Sequence, residues 1–239
     1  MSDLLARYEP PWTFAHHDIS HPIYSTGRGR TVVVLHELPG MIEQCLDLGL
    51  ILGERFRVHL PLLLGEPGKW AMAMNIARLC VSHEIHAFAA NKTSPLIGWL
   101  RALCRKLKDD SGEAGVGVVG MCLTGGFALA LVADEAVLAP VVAQPALPLF
   151  VHKAALGISP EDQEAVRKRA AQLGPGCVLA LRYAKDKIAP PQKIETICAL
   201  IGPVLRYVEF EGEDHATLTV HRHPAALRET IDFLSARLG

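Results

Sequence analysis

Val116-Gly117-Val118-Val119-Gly120-Met121-Cys122-Leu123-Thr124-Gly125-Gly126-Phe127 is the segment on which the fold turns. Its first residues form an apolar, β-branched run, the pattern of a strand buried on both faces. The strand ends at Gly120. A helix begins at Leu123, with Phe127 and Leu131 on one face. Cys122 falls on the turn between them. A tight strand-to-helix turn of this kind projects a nucleophile above the sheet. Its crowded backbone calls for small neighbours, and Gly120 and Gly125 meet that need. The helix N-terminus behind the sulfur favours a thiolate. A lone cysteine before a glycine-rich turn is more often a buried packing residue, so a catalytic reading depends on partners elsewhere in the chain.

Outward from this segment, short apolar runs alternate with helix-period stretches. Residues 31–35, 57–60, 136–142, 177–183 and 204–210 read as strands like 116–119. Ser94-Pro95 opens a helix with Leu96, Leu100, Leu103 and Leu107 on one face. Ser159-Pro160-Glu161-Asp162 opens another. A last helix begins near Pro224 and carries Leu227, Ile231, Leu234 and Leu238 as an apolar stripe. Such alternation implies a mostly parallel central sheet with helices on both faces, and residues 21–24 add an antiparallel edge strand. No repeat or linker interrupts residues 1–239, which read as one domain. The least regular stretch, 63–93, opens with Gly65-Glu66-Pro67-Gly68 and holds a short helix at 72–80. Two readings of it stand: a pocket-lining insertion, or a helix that merely covers the sheet.

Two further segments supply partners for Cys122. The strand at 177–183 runs into Ala184-Lys185-Asp186, and the strand at 204–210 runs into Glu211-Gly212-Glu213-Asp214-His215. Asp186 and His215 therefore leave successive strand–helix units at the same sheet edge as Cys122, where open α/β folds place their sites. The chain order nucleophile, acid, histidine is that of an α/β-hydrolase triad.

Val33-Val34-Leu35-His36-Glu37-Leu38-Pro39-Gly40, taken with Gly120-Met121-Cys122-Leu123-Thr124-Gly125-Gly126, resembles the dienelactone hydrolase family from about residue 30 to the C-terminus, least across 63–93. The resemblance implies an α/β-hydrolase fold and a cysteine-dependent hydrolase of carboxylic esters or lactones. It further implies Cys122 as nucleophile, Asp186 as acid, His215 as base, and Glu37 as an extra carboxylate in contact with the resting thiol. The backbone N–H groups of Leu38 and Leu123 become the oxyanion donors. Two positions depart from the family. Thr124 stands where glycine is common, which either strains the elbow or alters only its rotamers. Thr219 stands four residues after His215, where members acting on carboxylate substrates carry arginine. Arg78 is a candidate to replace that cation. Trp70, Met72 and Met74 either line an apolar pocket or pack in the core, the commoner role of such residues. The missing arginine points to neutral, moderately apolar substrates. A competing reading keeps the same shell as a non-hydrolytic ligand-binding or redox-sensing protein.

The totals exclude other classes. The 239 residues are 50% hydrophobic and 21% charged, with a formal net charge of −1. No basic stripe suits a nucleic acid or an anionic membrane, and no apolar run approaches the roughly 20 residues of a membrane span. The first residues lack a charged n-region followed by an apolar stretch, so a cytoplasmic location is expected. The six cysteines form no CxxC pair and read as free thiols. On a helix, Cys80 and His86 would point about 240° apart, so Cys80, His83 and His86 do not read as a metal site. No cofactor is expected, and the expected partner is a small ester or lactone. His36 either positions the Glu37 loop or simply packs; His16, His17, His221 and His223 read as solvated.

Overall fold

Strands that are apolar at every position need cover on both faces, and parallel strands need helical crossovers. Both demands are met in the computed structural model, which describes residues 3–86, 92–146 and 153–239. The strands are β1 (Trp12–His16), β2 (Ile19–Thr26), β3 (Arg30–Leu35), β4 (Phe56–Pro61), β5 (Val116–Met121), β6 (Val137–Ala143), β7 (Val178–Tyr183) and β8 (Leu205–Phe210). They form one sheet in the order β1-β2-β4-β3-β5-β6-β7-β8. β1 and β2 pair antiparallel, as do β2 and β4; every pairing from β4 to β8 is parallel. The six strands expected from apolar runs are β3 to β8, each within two residues of its expected bounds. The strand expected at 21–24 is antiparallel but not at the edge, because β1 pairs with its outer side. β1 alternates between partly buried and exposed residues, so it carries no apolar run to betray it.

The helices are α1 (Glu43–Gly53), α2 (Met72–Val81), α3 (Pro95–Ser111), α4 (Leu123–Leu131), α5 (Pro160–Leu173), α6 (Pro191–Ile201) and α7 (Pro224–Leu238). Side chains alternate across the sheet with period two. Val33, Leu35, Val116 and Val118 pack beneath α3 to α6, whereas Val32, Val34, Val119 and Met121 pack beneath α1 and α7. Ser159 caps α5 by accepting a hydrogen bond from Asp162 N at 3.2 Å. Ser94 precedes α3 without a side-chain cap; its hydroxyl instead accepts from His86 N at 2.9 Å and fastens the end of the irregular stretch. Because β3, β5, β6, β7 and β8 run parallel, their following loops open on one rim, where the candidate residues converge.

Candidate active site

Cys122 sits between β5 and α4 with φ 55° and ψ −119°, a left-handed backbone that a non-glycine residue adopts only when its surroundings impose it. Three hydrogen bonds do so. Cys122 N donates to Ala143 O at 3.1 Å, and Cys122 O accepts from Gly125 N and Ala146 N, both at 3.0 Å. The turn is tight enough that a Cβ on Gly120 would lie 2.2 Å from Thr124 O and 2.7 Å from Ala128 Cβ. Only glycine fits there. Thr124 does not strain the elbow. Its buried hydroxyl accepts from Met121 N at 2.9 Å and donates to Leu35 O at 3.0 Å, so it ties the elbow to the end of β3.

His215 and Asp186 meet across the loops after β8 and β7. Asp186 Oδ2 lies 2.7 Å from His215 Nδ1, while Asp186 Oδ1 accepts from Ile188 N at 2.8 Å and Ala189 N at 3.0 Å. The carboxylate is buried and accepts on both oxygens, which places a proton on Nδ1. Nε2 is buried and has no hydrogen-bond partner among the described residues. Burial works against a charge on the ring, but the Asp186 hydrogen bond and the nearby Cys122 sulfur outweigh it. The His215 pKa is pushed up to about 10.

Arg182, fully enclosed on β7, holds the acid loop in place. It donates to Ala189 O and Ala184 O at 3.1 Å each and pairs with Glu209 at 2.5 Å. Asp214, by contrast, is exposed, and its carboxylate faces the His221 ring at 3.7 Å.

Glu37 is buried, and it differs from expectation. Gln144 Nε2 donates to one carboxyl oxygen and the Thr219 hydroxyl lies against the other, both at 2.8 Å. Gln144 in turn accepts from the Thr217 hydroxyl at 2.5 Å, which orients its amide nitrogen toward Glu37. Glu37 makes no hydrogen bond to Cys122 among the described residues. Its hydrogen bonds instead link the Glu37 loop to Gln144 and to the histidine loop. Gln144 has φ 34° at the end of β6, a second non-glycine residue held left-handed beside Cys122. Burial raises the Glu37 pKa, against the opposing pull of Thr219, His215 and Gln144.

His36 pins the base of the same loop. Its Nδ1 faces Glu37 O at 2.8 Å, and Nε2 accepts from Leu63 N at 3.0 Å and Leu64 N at 3.2 Å. Both the tautomer and the buried, neutral ring follow; desolvation pulls its pKa down to about 4. Leu38 and Leu123 line the same cavity as Cys122, and neither backbone N–H has a hydrogen-bond partner among the described residues.

These residues open onto a cavity of about 540 Å³, within the roughly 300–1,000 Å³ of small-molecule sites. Glu37, Cys122 and His215 lie on its wall, and Trp70, Met72, Ile76, Ile188 and Val220 supply much of its apolar lining. The irregular stretch after β4 is thus a pocket wall through Trp70 and α2. Arg78 is a correction: it is exposed on α2, reaches only to Asn75 at 3.4 Å, and does not line the cavity. Helical phase explains this, since Ile76 faces inward and a residue two positions on points about 200° away. No group of three or more histidine, cysteine or acidic residues is arranged to hold a metal among the described residues.

Sequence reasoning placed Cys122, Asp186 and His215 at one rim, and the family resemblance added Glu37, Leu38 and Leu123. It missed Gln144, Thr217 and Arg182. Gln144 stands 107 residues from Glu37 and belongs to no local motif. Arg182 carried one usable signal, a charge inside an otherwise apolar strand.

Neither a protein-family profile nor a curated protein sequence matches this chain. Solved structures do. A Klebsiella pneumoniae protein, provisionally assigned as a dienelactone hydrolase, superposes with a TM-score of 0.68 at 18% identity over 96% of this chain and 97% of its own. An enol-lactonase from Burkholderia xenovorans gives 0.59 at 15% identity, covering 93% of this chain and 99% of its own. A carboxylesterase structure from the thaumarchaeon Nitrososphaera gives 0.60 at 13% identity, covering 94% and 98%.

Proposed function

We propose that this chain, which has the α/β-hydrolase fold, is a cysteine-dependent hydrolase of carboxylic esters or lactones, of the dienelactone hydrolase type. The observation that carries this reading is the convergence of a left-handed Cys122 elbow and a 2.7 Å Asp186–His215 pair on one apolar cavity.

In the proposed reaction the Cys122 thiolate, paired with the His215 imidazolium, attacks the substrate carbonyl. The carbonyl oxygen becomes an oxyanion aimed at the N–H groups of Leu38 and Leu123, each such donor contributing about 3–4 kcal/mol where donors of this kind have been removed. Collapse expels the alkoxide, which takes the Nε2 proton of His215 and leaves as an alcohol. An acyl thioester on Cys122 remains. Neutral His215 then removes a proton from water, the hydroxide attacks the thioester, and the carboxylic acid departs as sulfur recovers its thiolate beside imidazolium. Asp186 fixes the ring and stabilises its charge throughout.

Glu37 acts in this scheme by holding the Leu38 loop against the histidine loop rather than by suppressing the thiol. The two departures from the family pattern, Thr124 and Thr219, both make hydrogen bonds within the site. The test is turnover of p-nitrophenyl esters and enol lactones by the wild type and Cys122→Ser. The reading requires activity that falls by at least about 100-fold in the variant. Absence of turnover across the panel, or turnover that survives the substitution, contradicts it.

A further inference from the structure

The cavity wall is uneven in a way that bears on what enters it. Trp70 and Val220, both largely outside the core, stand at the mouth with Ile188, while Met72 and Ile76 extend the wall along α2. Trp70 keeps 60% of its surface exposed, an unusual investment of aromatic surface unless something apolar covers it. The lining contains no lysine or arginine among the described residues. Its two histidines are already engaged: His215 by Asp186, and His221 by Asp214 at the rim. The remaining ionisable groups, Glu37 and Cys122, carry negative charge or none.

We propose that this site takes an uncharged substrate with a flexible aliphatic acyl chain, laid along Met72 and Ile76 and covered at the mouth by Trp70. An anionic acyl group would lose its water here and find no lysine or arginine, and the His215 ring is already committed to Asp186, so its desolvation stays uncompensated. A growing alkyl chain gains contact with side chains that are themselves aliphatic and adaptable, methionine above all. Each methylene buried is worth a factor of about four in affinity until the chain outgrows the wall. This inference rests on the hydrolase reading for its kinetic arm only.

Two experiments separate the two ideas. In Cys122→Ala, which turns nothing over by the proposed route, Trp70 reports occupancy through its fluorescence, with Trp70→Phe as the blank for Trp12 and Trp99. Methyl octanoate should quench or shift Trp70 saturably, and octanoate should bind at least 100-fold more weakly. In the wild type, kcat/KM should climb from p-nitrophenyl acetate through butyrate and hexanoate, and p-nitrophenyl methyl glutarate should exceed p-nitrophenyl hydrogen glutarate by a similar factor. Trp70→Ala should flatten the chain-length series. Octanoate binding as tightly as its methyl ester, or a flat series with Cys122-dependent turnover, overturns the inference and leaves the hydrolase reading standing. Selective methyl octanoate binding without any Cys122-dependent turnover does the reverse.

Discussion

Replacing Asp186 by asparagine changes one atom and sets two demands against each other. Asp186 uses Oδ2 for His215 Nδ1 at 2.7 Å and Oδ1 for the N–H groups of Ile188 and Ala189 at 2.8 and 3.0 Å. Asparagine has one acceptor and one donor for these two places. If its oxygen keeps the loop amides, its NH₂ faces Nδ1 and selects the wrong tautomer. If its oxygen keeps His215, NH₂ confronts two backbone donors in a buried corner. Either arrangement forfeits a charge-assisted bond, about 1.5–3 kcal/mol in stability. It also removes the charge that supports the imidazolium. A mis-set tautomer in a nucleophile–histidine–carboxylate triad costs turnover roughly 10⁴-fold, so a fall of 10³–10⁴, or about 4–5.5 kcal/mol in the barrier, is expected. Asp214→Asn is the matched control, since Asp214 is exposed and its carboxylate pairs at 3.7 Å with His221, outside the triad; it should change kcat by less than about three-fold. The assay is kcat for p-nitrophenyl butyrate, with urea unfolding to confirm that both variants are folded under assay conditions. A crippled Asp214→Asn beside a folded, active Asp186→Asn refutes the triad assignment.

Three other outcomes follow from the same contacts. Glu37→Gln keeps partners for Gln144 and Thr219 and should retain kcat within about ten-fold, whereas Glu37→Ala strands both and should lose much more; if Glu37 restrained the thiol instead, iodoacetamide would label Cys122 faster in both variants. Thr124→Val preserves shape but removes the hydroxyl that serves Met121 N and Leu35 O, so urea unfolding should show a loss of about 1–3 kcal/mol. Acid should destabilise the fold through His36 and His59, whose burial depresses their pKa from 6.5 to about 4. The unfolded chain binds the extra protons there, so each contribution is complete above pH 6.5 and is lost as pH falls toward 4, by up to about 3 kcal/mol per residue. Urea unfolding from pH 7 to 4.5 should therefore show a slope smaller by up to one proton in His36→Gln than in the wild type.

The sequence was most readable where chemistry and local geometry coincide. Residues 116–127 announce a strand, a turn and a helix by composition alone, and Asp186 and His215 follow strands whose apolar runs are unmistakable. The Glu37 network was not readable in that way. Gln144 acquires its role from a left-handed backbone and from a carboxylate on a different loop, and neither leaves a trace in nearby residues. Thr219 stood out only as a missing arginine, although its hydroxyl supplies a contact to Glu37. Arg78 went wrong because the irregular stretch hid the phase of α2, and β1 was overlooked because its partly exposed alternation lacks an apolar run.

The central claim is that acyl transfer passes through Cys122. Intact-mass spectrometry of the protein quenched in acid during turnover of p-nitrophenyl octanoate tests it most directly, with His215→Gln included to slow deacylation. The account predicts an added octanoyl mass that maps by peptide digestion to Cys122 and is absent from Cys122→Ala. An octanoyl group found on another residue, or rapid turnover by Cys122→Ala, would contradict it.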